Sequence, residues 1–279
     1  MFQRLILFVI LTLFWVCTAR AQSRSIESRY EDAVKSIMVI QEGLYGIKFY
    51  GSGPKVSFKD RCSSSGDSIA CYSLKKKTII LNPFFHSCDI SSLEAIVALG
   101  LWRNKKSYEN APPSGLDCSP RSLLKILAHE AGHYYLNTFL EKNTSRNWLT
   151  TSSGFGSNAF RPGFSISSMV WEGVSEYLSH AFGRSFGDFD ASVWERVWLL
   201  EHINTPHMKR LLVYHGGHAL VGPILDEGVE KGILYLADHQ FWSTDDGPGK
   251  MTLENLPTYQ RNAITALSQG GFGFGTPLK

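Results

Sequence analysis

The sequence predicts an α+β fold, with a small β-rich part near the N-terminus and a mainly helical remainder. Apolar residues recur every three or four positions over 27–45. Short alternating runs separated by turn residues fill about 45–85, and helical periodicity takes over from about 91 to 269. A single domain over 22–269 is long enough to bury a substantial core of its own.

Residues 1–21 read as an export signal. Arg4 supplies the positive start, residues 5–16 are apolar apart from Thr12, and Ala19-Arg20-Ala21 gives a small-x-small cleavage pattern. An apolar run of that length falls short of a bilayer core of about 30 Å. Cleavage after Ala21, a secreted or periplasmic location and no stable membrane insertion afterwards are the expectation; an uncleaved anchor helix is the alternative.

Ile26, Ala33, Ile37, Ile40 and Leu44 mark one face of a first helix. Residues 47–50 and 55–58 alternate around Gly51-Ser52-Gly53-Pro54, which predicts two strands about a turn. Two further short strands are expected at 69–72 and 78–81, closed by Asn82-Pro83. The Ser-, Gly- and Asn-rich stretch 143–168 reads as a long loop, and the Gly-rich residues 270–279 as a flexible tail.

Composition narrows the function classes. Aromatic residues make up 13% of the chain and the formal net charge is only +3, which excludes a disordered chain. The longest like-charge run is Lys75-Lys76-Lys77, so nothing favours a nucleic-acid partner. Removing residues 1–21 leaves Cys62, Cys71, Cys88 and Cys118, an even number in an oxidising compartment. Cys62 and Cys71 flank a Ser/Gly-rich turn and are expected to pair, leaving Cys88 with Cys118.

The chemistry lies in His129-Glu130-Ala131-Gly132-His133, an H-E-x-x-H motif. Ser119 is a fitting N-cap with Pro120 at the first helical position, and the flanking residues continue a helix. Residues four apart share a helix face, so His129 and His133 can aim both imidazoles at one metal ion. Glu130, on the adjacent flank, can address a water without ligating the metal. Catalytic zinc wants a third protein ligand and an open position. The downstream helix Trp171–His180 offers Glu172 as that ligand, with Glu176 one turn on to accept from a ligand imidazole. Glu176 and His180 are the alternative ligands.

The pairing of His129-Glu130-x-x-His133 with Glu172-Gly173-Val174-Ser175-Glu176-Tyr177 resembles the gluzincin metallopeptidases, which include the thermolysin-like and aminopeptidase-N-like enzymes. Tyr214-His215-Gly216-Gly217-His218-Ala219 is similar to the segment whose tyrosine stabilises the tetrahedral intermediate in the aminopeptidase-N-like family. The resemblance implies a zincin-like fold and one catalytic Zn2+ ion held by His129, His133 and Glu172. Glu130 would be the general base and Tyr214 the oxyanion donor, with His215 and His218 as rivals for that last role. It also implies a strand edge beside the cleft for an extended peptide, which residues 77–82 resemble, with an ordinary core strand as the alternative. The exopeptidase motif G-x-M-E-N is missing, since no Met precedes a Glu. The expected activity is therefore cleavage of a peptide or protein substrate, more as an endopeptidase than as an aminopeptidase. A non-catalytic zinc-containing or peptide-binding exported module is the alternative.

Overall fold

Ser25 starts the first helix, α1 (Ile26–Tyr45), by accepting the backbone N–H of Ser28, and Gly46 ends it in the left-handed conformation at φ 63°. In the computed structural model, residues 24–59, 69–101, 116–144, 166–183, 214, 216–238 and 256–269 are described. The expected signal segment, the Gly-rich tail and most of the predicted 143–168 loop lie outside them. The loop prediction ran slightly long, because helix is already formed at Ile166.

Three short strands form one sheet in the order β1-β3-β2, with β1 spanning Lys55–Phe58, β2 Ala70–Ser73 and β3 Thr78–Leu81. β1 runs parallel to β3, with Val56 beside Ile79, and β2 runs antiparallel to it, with Tyr72 beside Ile79. Two expectations are corrected here. Residues 47–50 form no strand. Ile47 and Phe49 are buried as their alternation suggested, yet two backbone groups of this stretch bond to side chains. The Phe49 N–H donates to Glu42 Oε1 at 2.7 Å, and the Tyr50 carbonyl accepts from Tyr134 Oη at 2.7 Å. The second correction concerns residues 77–82, which do not present a free edge. Ile79 and Leu81 are fully buried, and the strand they belong to takes the centre of the sheet with both ladders filled. Among the described residues the sheet edges are β1 and β2.

After β3, a 3-10 turn at Pro83–Ser87 leads to α2 (Ser91–Ala98). The Cys88–Cys118 disulfide then ties this turn to the residue before the Ser119 cap of α3 (Pro120–Asn143). That cap forms as expected: Ser119 Oγ accepts from Ser122 N at 3.2 Å with Pro120 at the first position. Cys71 is also disulfide-bonded; Cys62, its expected partner, lies outside the described residues.

α3 is buried on almost every side from Leu123 to Leu140, as expected of a helix at the centre of its fold. α1, α2, β2 and α4 (Ile166–Ser179) pack around it. Gln41 of α1, fully buried, donates to the carbonyls of Ala128 at 3.0 Å and Leu178 at 2.9 Å, so one amide clamps three helices. A 3-10 turn (His180–Phe182) ends α4 at Gly183, where the sequence placed its end. α5 (Gly217–Leu225), α6 (Val229–Asp238) and α7 (Leu256–Ser268) complete a mostly helical α+β fold. Among the described residues no helix is long and apolar enough to cross a membrane.

Candidate metal centre

Two helix crossings build the site, and both depend on glycine. Gly132, between the two histidines of α3, faces Ser175 of α4 so closely that an added Cβ would lie 2.8 Å from the Ser175 Cα. Gly173 of α4 meets Gly217 of α5, where an added Cβ would lie 2.4 Å from the Gly217 carbonyl carbon. No other residue permits backbones to approach this far. The first crossing brings Glu172 over the two histidines. The second sets down Tyr214 and Gly216, in a π-helical turn leading into α5, beside them.

The side chains converge on one point. Glu172 Oε2 lies 3.0 Å from His129 Nε2 and 3.2 Å from His133 Nε2. One ligand atom from each of the three residues falls within 4.8 Å of the others. Two atoms bound to one zinc ion at about 2.1 Å and the tetrahedral angle lie ~3.4 Å apart. The donor set is two imidazoles and a carboxylate, all nearly buried, and it fits a divalent transition metal.

The other nitrogen of each imidazole faces an oxygen on α4. His133 Nδ1 lies 2.7 Å from Ser175 Oγ, which donates in turn to the Trp171 carbonyl at 3.4 Å. Ser175 therefore accepts the Nδ1 proton of His133 and leaves the Nε2 lone pair facing Glu172. His129 Nδ1 lies 2.8 Å from Glu176 Oε1, which directs its Nε2 the same way. Lys125 Nζ donates to Glu176 Oε2 at 3.0 Å and to Ser179 Oγ at 2.7 Å. The indole of Trp171 stacks on the His133 ring at 4.9 Å, nearly parallel.

Burial works against a charged His129, but the Glu172 and Glu176 carboxylates outweigh it and raise its pKa. Burial also opposes ionisation of Glu172, and the neighbouring imidazoles reverse this and hold it down to about 2. Glu130 is raised by burial, which the two histidines offset only in part. Its Oε2 is buried and, among the described residues, has no hydrogen-bond partner. Among the described residues, Glu130, Glu172 and Glu176 set three buried carboxylates against one buried ammonium, that of Lys125. With neutral imidazoles that is a surplus of two negative charges, the amount a divalent cation cancels.

The other sequence candidates fall as follows. Glu176 stands behind His129, so its place is that of a supporting acceptor. His180 is exposed and stacks on His218 with ring centres 5.1 Å apart, apart from the three converging residues. The Tyr214 ring lies 5.7 Å from that of His129, whereas His218 neighbours Tyr177 and His180. His215 lies outside the described residues. Lys125, Ser175, Trp171 and Gln41 escaped the sequence reading. Lys125 alone carried a signal, standing one helical turn before His129 in an apolar stretch. Compared with protein-family models, curated proteins and solved structures, the chain matches none.

Proposed function

We propose that this chain is an exported, zinc-dependent peptidase of the gluzincin type, zincin-like in fold and endopeptidase rather than aminopeptidase. The observation that carries the reading is the convergence of His129 Nε2, His133 Nε2 and Glu172 Oε2 beside the buried Oε2 of Glu130, which has no hydrogen-bond partner among the described residues. A zinc ion held by those three residues supplies a Lewis acid and lowers the pKa of a bound water towards 7.

The chain's own groups do the rest. Glu130 Oε2 accepts the proton of the attacking water and later delivers it to the leaving amine. Its raised pKa suits a group that must take up a proton and release it again. The Tyr214 hydroxyl donates to the oxygen of the tetrahedral intermediate, a type of contact whose removal costs roughly 3–4 kcal/mol. Ser175 and Glu176 keep the two imidazoles turned towards Glu172 throughout. The missing exopeptidase motif supports internal cleavage of an extended peptide.

Metal analysis of the purified protein together with an unbiased peptide-cleavage profile, repeated on Glu130→Gln, tests the reading. The expected result is one zinc per chain in both proteins and cleavage by the unsubstituted one alone. Full activity in Glu130→Gln would remove Glu130 as the base. Zinc at full occupancy with no peptide cleaved would favour the non-catalytic zinc-containing or peptide-binding module.

A further inference from the structure

We propose that Lys125 is a positioning residue of this metal centre, holding Glu176 so that Glu176 in turn holds His129. The inference rests on the metal-site reading above and extends it one shell outward. The chain of contacts is continuous and buried: His129 Nδ1 to Glu176 Oε1 at 2.8 Å, Glu176 Oε2 to Lys125 Nζ at 3.0 Å, and Lys125 Nζ to Ser179 Oγ at 2.7 Å. Ser179 closes the loop by donating to the Glu176 backbone carbonyl at 3.1 Å. Lys125 is only 7% exposed, and Gly183, at the end of the turn after α4, lies over its aliphatic stem.

A buried ion pair adds little net stability, because desolvation offsets its attraction. Placement explains the pair better. Lys125, His129 and His133 occupy successive turns of one face of α3, and Glu176 reaches across from α4 to touch the first two. A carboxylate gripped at one oxygen by an ammonium cannot swing away from the imidazole at the other. His129 Nε2 is thereby aimed at Glu172 before any ion arrives. Among the described residues, Lys125 and a divalent cation together would balance the three buried carboxylates.

The test is zinc affinity of the full chain, measured by competition with a chromophoric chelator, for Lys125→Met, Lys125→Arg, Glu176→Met and the Lys125→Met/Glu176→Met double variant. Lys125→Met should weaken zinc binding roughly 10–100-fold, the range for residues that orient a metal ligand. Lys125→Arg, which keeps the charge, should recover most of the loss. In the Glu176→Met background, Lys125→Met should cost nothing further, because Lys125 acts through Glu176. The double variant leaves neither charge unpaired and Glu176→Met leaves the Lys125 ammonium its bond to Ser179 Oγ, so the comparison of those two stands even where the single Lys125→Met chain fails to fold. Unchanged affinity in a folded Lys125→Met, or an additive loss in the double variant, would overturn the proposal. Failure of the unsubstituted chain to bind zinc would instead overturn the metal-site reading.

Discussion

His129 and Glu172 set the pH behaviour of the proposed centre. In the zinc-free chain the carboxylates beside His129 raise its pKa, so its imidazole carries a proton at neutral pH. Zinc needs the Nε2 lone pair, and ion and proton therefore compete for one atom. Calorimetry in buffers of different ionisation enthalpy should show about one proton released per zinc near pH 7, with affinity rising about tenfold per pH unit. An affinity independent of pH would show that His129 holds no proton there. The zinc-free fold carries the opposite dependence. The imidazolium stabilises it fully below the unfolded value of 6.5, and that contribution is lost as pH rises through the raised one. Glu172, held low, contributes above 4.5 and ceases to do so as pH falls towards about 2.

Among the elements, the crossings of α3, α4 and α5 decide which side chains meet. Gly173 permits α4 and α5 to touch backbone to backbone, and its partner Gly217 would place an added Cβ 2.2 Å from the Met169 carbonyl. Gly173→Ala must push α5 away and carry Tyr214 with it, while the α3–α4 contact at Gly132 and Ser175 stays in place. The expected outcome is a stability loss of about 1–3 kcal/mol, as overpacking usually costs. Turnover should fall sharply and zinc affinity should change little. Turnover equal to that of the unsubstituted chain would show that Tyr214 needs no such placement. Element by element, the sequence was most readable where structure is local. The Ser119 cap, the span of α1 and the end of α4 at Gly183 follow from residues within a turn of each other. The strand expected at 47–50 failed because Glu42 and Tyr134, distant in sequence or on another element, took the bonds a ladder would have used.

For the whole molecule, the Cys88–Cys118 bridge joins the sheet region to the start of α3, which carries His129 and His133, across a separation of 30 residues. Closing a loop of that size restricts the unfolded chain and contributes about 3.6 kcal/mol. Cys88→Ser/Cys118→Ser should lower the denaturant midpoint accordingly and leave the α+β fold intact. Loss of less than about 1 kcal/mol would show that packing of α2 on α3 alone holds this region. The α+β class and the helical C-terminal part were legible from periodicity, and the pairing of Cys88 with Cys118 from the Ser/Gly-rich turn that sets Cys62 against Cys71. The order of strands was not. Which strand sits centrally depends on what covers each face, and β3 won that place with side chains buried to zero exposure at Ile79 and Leu81.

By itself the sequence determined that two imidazoles and a carboxylate, His129, His133 and Glu130, stand together on one helix, because helical geometry turns a spacing of four into a shared face. It also marked Glu172 and Glu176 as one turn apart on a second helix. Only the tertiary structure decided that Glu172 points at both Nε2 atoms, that Glu176 stands behind His129 and that Lys125 backs Glu176. Those relations arise where α3 and α4 cross at Gly132 and Ser175. The crossing is set by how closely two backbones approach, a property of paired surfaces that neither helix's periodicity contains.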